Sequence, residues 1–140
     1  MRHDHSYMDR AEEFLGAHPE VARIVEEIPK EGVIAVILFG SHATGKAGPL
    51  SDIDLCIVTD RAATESQMNE LLSVGSRIIE VSLFWDLPLT IRFRVIRDGI
   101  ILYCRSPELF HRITVDTVRQ YLDVEPLIRK HSLAMIQARG

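Results

Sequence analysis

Two aspartates at the start of an apolar run, Asp52 and Asp54 in "SDIDLCIV", are the residues of this chain best suited to chemistry. Side chains alternate along a β-strand, so the two carboxylates would point to the same side. Like charges this close destabilise a fold unless a cation or a proton lies between them. Two metal ions about 3.5 to 4 Å apart, bound by oxygen ligands, are the usual arrangement for nucleotidyl transfer. The pair therefore predicts a site for divalent cations.

A Gly-Ser step, Gly40 and Ser41, ends the preceding apolar run, with ten residues between it and Asp52. Glycine allows a phosphate to approach the backbone closely, and the backbone amides can bind an anion, especially if a helix begins at Ser41. The two features together predict a site for metal ions and a triphosphate. In the alternative interpretation, Ser51 and Asp52 form a capped turn and Asp54 is a solvated residue at a strand edge.

Three continuous apolar runs are candidates for the strands that position these residues. The run "GVIAVILFG" is rich in β-branched residues and predicts a strand covered on both faces, and "IDLCIV" predicts a second one. The segment "RIIEVSLFW" predicts a third strand. Pro88 then interrupts the pattern, and "RFRVIRDGIILYC" alternates around Asp98-Gly99, which predicts a tight hairpin turn. The arginines at 92, 94 and 97 would then lie on a solvated hairpin or contact a nucleic acid.

Helical spacing of apolar residues is found outside these runs. Residues 8 to 28 predict a helix that is interrupted near Pro19, and residues 64 to 76 predict another that ends at Gly75. The segment "SPELFHRITVDTVRQYL" opens with a serine cap and a proline at the first helical position. Pro126 should break or kink this helix, and an apolar helical stretch follows it.

The composition of the chain restricts its class. With 140 residues, 46% hydrophobic and 26% charged, the chain predicts a single domain over residues 1–140. The apolar runs are too short to cross a membrane, and the charged N-terminus lacks the apolar stretch of a signal peptide, which predicts a cytoplasmic protein. A net charge of −4 argues against broad nucleic-acid binding.

The order of these features resembles a known family signature: a strand, the Gly-Ser step, ten residues, Asp-Ile-Asp and a second strand. The string "FGSHATGKAGPLSDIDLCIV" is similar to that of the minimal nucleotidyltransferases, or MNT proteins, of the DNA polymerase β-like superfamily, which are often partnered with HEPN proteins. The resemblance covers about residues 30 to 105. It implies an α/β (α+β) nucleotidyltransferase core, a small mixed β-sheet with helices on one side, extended by C-terminal helices over residues 106 to 140.

The resemblance also implies roles for individual residues. Asp52 and Asp54 would hold two Mg²⁺ ions on ATP, and Gly40 and Ser41 would bind its outer phosphates. A third carboxylate is implied on the next strand, where Glu80 occupies the matching place. Asp86 is the alternative, although it lies some 20 Å further along an unbroken strand at about 3.3 Å per residue.

The sequence departs from the family in its basic residues. Arginines commonly follow the Gly-Ser step in the family, whereas His42 and Thr44 stand there in this chain. Arginine offers a fixed fork of donors to phosphate oxygens, which neither residue copies. Lys46 either supplies part of that charge or is a solvated loop residue. Nucleotide affinity is therefore in question even with an intact metal site.

The implied activity is Mg²⁺-dependent transfer of a nucleoside monophosphate to an acceptor. Residues 106 to 140 are too few for a substrate domain, which favours a partner protein as the acceptor. The family implies AMP transfer from ATP to a hydroxyl of a HEPN toxin, with this chain as the antitoxin. Two alternatives remain: a binding-only antitoxin with weakened catalysis, and transfer to a small molecule such as an aminoglycoside. The nucleotide base, the acceptor and a possible homo-oligomer are left open.

Overall fold

A four-stranded mixed β-sheet forms the centre of the molecule, which is described here by a computed structural model for residues 2–139, with side chains described for residues 9–138. The sheet order is β3-β2-β1-β4. The strands are β1 (Val33–Phe39), β2 (Ile53–Thr59), β3 (Ile79–Leu83) and β4 (Ile100–Cys104). The helices are α1 (Arg2–Ala17), α2 (Pro19–Glu27), α3 (Ser41–Thr44), α4 (Glu65–Leu72), α5 (Leu89–Asp98) and α6 (Pro107–Arg139).

The three apolar runs form the strands that the sequence predicts. β1 lies in the middle of the sheet and pairs antiparallel with both β2 and β4, whereas β2 pairs parallel with β3. Six of the seven residues of β1 are buried, as a strand covered on both faces requires. The register places Phe39 opposite Asp54, and Asp54 opposite Glu80. The end of β1, the start of β2 and the start of β3 therefore meet at one edge of the sheet.

Helices pack on both faces of the sheet, so the predicted placement on one side is wrong. On the first face, β-strand residues such as Leu38 and Leu55 share a buried cluster with residues of α1, α2 and α4. On the second face, Ile37 and Cys56 share a cluster with Val95 of α5, against which side chains of α6 also pack. Both faces of the sheet are thus covered by helices, which explains why the strand sequences are continuously apolar.

The predicted hairpin at Asp98-Gly99 is wrong, because residues Leu89–Asp98 form helix α5. Pro88 lies at the start of this helix, a position where a proline is tolerated. Gly99 ends it and is buried, and a methyl group there would collide with the carbonyl oxygen of Val95 and the side chain of Ile37. The glycine therefore serves the close packing of a helix end against β1, and β4 pairs with β1 instead of a hairpin partner.

Two further helix ends differ from the predictions. α4 begins at a capping box formed by Thr64 and Gln67, and it ends at Leu72 with Ser73 as its cap, before the predicted stop at Gly75. α6 is one helix of 33 residues, about 50 Å long at 1.5 Å per residue, so Pro126 does not break it, and the alternative, a kink at Pro126, stays a prediction. Proline removes one backbone N–H, but the carbonyl four residues earlier belongs to exposed Leu122, where water can bind it.

The second half of α6 extends beyond the sheet. Its exposed apolar side chains are Leu122, Leu127, Ile128, Leu133, Met135 and Ile136. These six side chains are exposed and not packed on the core, and we call the set of them the distal α6 surface. Within residues 2–139, no helix is both long enough and apolar enough to cross a membrane.

Candidate active site

Gly40 brings the end of β1 into direct contact with Asp54. Its backbone has φ 76° and ψ −153°, a region that is open essentially only to glycine. A methyl group at this position would collide with Oδ2 of Asp54. The short helix α3 begins at the next residue, Ser41. The glycine therefore allows both the turn from strand to helix and the close approach of a carboxylate, which are two parts of the predicted site.

The three predicted carboxylates lie along one edge of the sheet. Asp54 and Glu80 are register partners on the parallel strands β2 and β3, and Asp52 lies two residues before Asp54, just outside the strand. Asp54 is partly buried, whereas Asp52 and Glu80 are exposed. Burial raises the pKa of Asp54, and the negative charges of Glu80 and Asp52 raise it further. The site therefore places negative charges around a partly buried carboxylate, which is unfavourable for its ionised form. A bound cation would stabilise that form.

These carboxylates do not form a closed metal site. Among the residues with described side chains, no group of three or more His, Cys, Asp or Glu is arranged to hold a metal ion. Asp52, Asp54 and Glu80 are thus neighbours by strand position and by charge. Their assignment as catalytic and metal-binding residues stays a prediction.

Asp86 lies at the other end of β3. It follows Leu83, which pairs with Ile57, whereas Glu80 pairs with Asp54 at the Gly-Ser edge. The neighbouring Trp85 donates a hydrogen bond of 2.7 Å from Nε1 to the carbonyl of Thr59, the last residue of β2. The strand register therefore separates Asp86 from the other two aspartates, and Glu80 is the acidic side chain of β3 beside them.

His42 connects the Gly-Ser helix to the loop that precedes Asp52. Its Nε2 lies 3.2 Å from the carbonyl oxygen of Ser51, and since a carbonyl only accepts, this nitrogen carries the proton. The ring also packs edge-on against His18, with 5.6 Å between the ring centroids. The charge of His42 also lowers the pKa of Asp54, whereas burial and the other carboxylates raise it. At the position where arginines are common in the family, His42 thus fixes the loop.

A cavity of about 400 Å³ adjoins the Gly-Ser step. Its walls come from the end of β1, from α3 and the loop after it, and from α5. The lining residues are Phe39, Gly40, Ser41, Thr44, Lys46, Ile91, Arg94 and Asp98. Its volume lies in the range of small-ligand sites. The predicted nucleotide-binding residues Gly40, Ser41 and Lys46 therefore share one cavity, and their role in nucleotide binding stays a prediction.

Arg94 is a site residue that the sequence reasoning missed. The sequence analysis placed it either on a solvated hairpin or in contact with a nucleic acid, whereas α5 carries it to the cavity beside Ser41. Ile91, Arg94 and Asp98 recur at spacings of three and four residues, which places them on one face of a helix. This periodicity was the available signal, but the shorter alternation of "RFRVIRD" competes with it.

A second cavity of about 280 Å³ lies at the opposite end of the same face, between β2, α5 and α6. Thr59, Trp85 and Arg92 are among its lining residues. The Gly-Ser step, which lines the first cavity and is in close approach to Asp54, does not contribute to the second one. The candidate active site is therefore the first cavity together with the carboxylate edge.

Comparison with known proteins agrees with this geometry. The model of the family described as polymerase beta, nucleotidyltransferase matches residues 22–108. A Methanocaldococcus jannaschii protein described as a candidate protein adenylyltransferase is 24% identical over 110 residues, which cover 76% of this chain and 84% of the relative.

Two solved structures share the fold. One is a toxin-antitoxin complex with AMP-PNP, with a TM-score of 0.59, 16% identity, and coverage of 87% of this chain and 98% of that chain. The other is a tri-AMPylated HEPN toxin of Shewanella oneidensis in complex with an MNT antitoxin, with a TM-score of 0.58, 13% identity, and coverage of 87% and 95%. The family model spans well over half of the sequence, and it matches the segment that carries the Gly-Ser step, Asp54 and Glu80. The chain belongs to the polymerase β nucleotidyltransferase family.

Proposed function

We propose that this chain transfers AMP from ATP to a hydroxyl group of a HEPN-type partner protein and thereby acts as the antitoxin of a pair. The observation that carries the proposal is the close approach of Asp54, whose pKa is raised, to Gly40, which lines a ligand-sized cavity. The relatives support the choice of nucleotide and acceptor, since one structure of this fold contains AMP-PNP and another contains an AMPylated HEPN toxin.

Gly40, Ser41 and Lys46 bind the outer phosphates in this proposal. Gly40 has no side chain between the phosphate and the backbone, and Ser41 offers a hydroxyl and a backbone amide where α3 begins. Lys46 is exposed on the loop after α3 and contributes a positive charge to the cavity wall. The three residues provide donors of the kinds that phosphate oxygens accept.

Asp52, Asp54 and Glu80 are the residues that would hold two Mg²⁺ ions. Carboxylate oxygens are the ligands that Mg²⁺ prefers, and the raised pKa of Asp54, caused by burial and then by the charges of Glu80 and Asp52, supports a cation at this edge. The donor set therefore fits the ion in chemistry and charge. Bound Mg²⁺ supplies charge neutralisation at the phosphates and lowers the pKa of an attacking hydroxyl.

In the reaction, the chain aligns the α-phosphate with the hydroxyl of the acceptor. The hydroxyl oxygen forms a bond to the α-phosphorus, the bond from that phosphorus to the bridging oxygen breaks, and pyrophosphate leaves with the electron pair. Glu80, exposed at the carboxylate edge, accepts the proton of the attacking hydroxyl. The products are the AMP ester of the acceptor, pyrophosphate and one proton. Holding both reactants in line supplies a large part of the rate enhancement.

The acceptor protein docks on the distal α6 surface. This part of the helix carries six large exposed apolar side chains, so it offers apolar area to a second protein. We assign the HEPN-type partner to it because two structures of this fold are toxin-antitoxin assemblies. We place the reaction in the cytoplasm, where ATP is available.

A binding-only antitoxin is the second candidate function. It is favoured by one observation, namely that the described carboxylates do not form a closed three-ligand metal group. His42 and Thr44, in place of the arginines that are common in the family, agree with it. In that case the chain would mask its partner sterically and transfer nothing.

Incubation with ATP labelled at the α-phosphate, Mg²⁺ and a HEPN protein tests the proposal. We expect the label on the HEPN protein, and its loss when EDTA is added. A stable complex without label would favour the binding-only function. Label on an aminoglycoside in a parallel reaction, with none on protein, would favour a small-molecule acceptor. A chain that carries Asp54→Asn is the matched control, since it removes one charge and keeps the side-chain shape.

A further inference from the structure

Two cationic side chains from separate parts of the fold line the cavity beside the Gly-Ser step. Lys46 comes from the loop after α3, and Arg94 comes from the last part of α5. The lining also includes the apolar side chains of Phe39 and Ile91 and the carboxylate of Asp98. The cavity therefore combines positive charge, the free hydroxyl of Ser41 and apolar surface.

The carboxylate in this cavity is already paired with a different arginine. Arg97 donates two hydrogen bonds to Asp98, from Nε at 3.0 Å and from a terminal guanidinium nitrogen at 2.8 Å. This bond lowers the pKa of Asp98, and the charges of Arg94 and Lys46 lower it further. Asp98 is therefore ionised at neutral pH and engaged with Arg97. Within the described side chains, no salt bridge joins Arg94 or Lys46 to a carboxylate.

The position of Arg94 is fixed by the packing of its helix. Val95, the next residue, is buried in the cluster on the second face of the sheet, and the end of α5 packs tightly on β1 at Gly99. Arg94 therefore lies on a helix that is anchored at Val95 and at Gly99, while its own side chain is exposed. A long side chain on a fixed base, at the wall of a cavity, can extend to a ligand without a rearrangement of the fold.

We propose that Arg94 is a binding residue for the outer phosphates of the triphosphate, acting together with Lys46. The guanidinium group offers a planar fork of donors to two phosphate oxygens, which a lysine ammonium group cannot do. The chain thereby obtains from α5 an arginine that its Gly-Ser segment lacks. This inference rests on the proposed function, since it assigns a residue to the same nucleotide site.

The test compares Arg94→Gln with Arg112→Gln, a matched control that removes the same charge from an exposed arginine of α6 outside the cavity lining. The binding of ATP, AMP and inorganic triphosphate to the full chain is measured by titration calorimetry with Mg²⁺. Loss of a charged hydrogen bond weakens binding about ten-fold or more, which we expect for ATP and triphosphate in Arg94→Gln. AMP, which lacks the outer phosphates, should bind both variants equally, and Arg112→Gln should bind ATP within about two-fold of the parent.

Arg94→Lys separates charge from geometry, and we expect an affinity for triphosphate between those of the parent and Arg94→Gln. Thermal unfolding of each variant checks that the fold is retained, as expected for an exposed side chain. The proposal is overturned if Arg94→Gln binds ATP and triphosphate as the parent does, while the parent still labels its acceptor; the proposed function then stands alone. A parent chain that binds neither ATP nor triphosphate overturns both.

Discussion

Replacing Gly40 by alanine should displace Asp54 from the candidate active site. The added methyl group meets two obstacles, the backbone conformation at φ 76° and ψ −153° and the Oδ2 atom of Asp54. Gly45→Ala is the matched control, because Gly45 has the same φ of 76°, with ψ 13°, and no atom lies within 4 Å of the added carbon. The two variants therefore differ mainly in the contact with the carboxylate.

The expected magnitude follows from the two backbones. A non-glycine residue in the conformation of Gly40 costs about 1–3 kcal/mol. The left-handed conformation of Gly45 costs about 1–2 kcal/mol. At Gly40 alone, the collision with Asp54 adds a further cost, and an interaction between contacting residues amounts to about 0.5–3 kcal/mol in a double-mutant cycle. At about 3–4 °C per kcal/mol for a domain of this size, Gly40→Ala should lower Tm by roughly 5–20 °C and Gly45→Ala by roughly 3–8 °C.

A double-mutant cycle isolates the collision. Thermal unfolding by circular dichroism is recorded for Gly40→Ala, Asp54→Ala and the double variant. Since Asp54→Ala removes the atom that the new methyl group meets, the double variant should be more stable than the sum of the single changes predicts. Equal losses for Gly40→Ala and Gly45→Ala, together with additive effects in the cycle, would refute the inference that Gly40 exists to accommodate Asp54.

Three further predictions concern the carboxylate edge and the distal helix. The pKa of Asp54 is raised in the folded chain, first by burial and then by the charges of Glu80 and Asp52. Without Mg²⁺, the free energy of unfolding of the parent should therefore fall as the pH rises from the ordinary carboxyl pKa through the raised one. Asp54→Asn should abolish this loss of stability when unfolding is measured as a function of pH. The double variant Asp52→Asn, Asp54→Asn should also abolish Mg²⁺-dependent ATP binding in calorimetry, and an unchanged ATP affinity would contradict the proposed metal site. Glu80→Gln should reduce labelling of the acceptor by about 100-fold, whereas Asp86→Asn should leave it unchanged, and the reverse pattern would exchange their roles. Deletion after Pro126 should weaken co-purification with the HEPN partner without changing ATP affinity, and an unchanged association would exclude the distal α6 surface.

The sequence by itself determined the parts of the fold that depend on neighbouring residues. The runs that became β1 and β2 are continuous and β-branched, so their conformation and their burial on both faces were predictable from composition alone. The family was predictable for a similar reason, because the Gly-Ser step and the Asp-Ile-Asp string lie within one short segment, and the family model confirms it.

Only the tertiary structure decided the features that depend on distant residues. Residues Leu89–Asp98 form a helix because Val95 finds a buried place on the second face of the sheet and Gly99 lets the helix end pack on β1, and local alternation carries no information about either contact. Because α5 forms in place of the predicted hairpin, Arg94 lies at the cavity. Glu80 stands beside Asp54, and Asp86 does not, because the register of β2 with β3 is set by pairing between segments more than twenty residues apart.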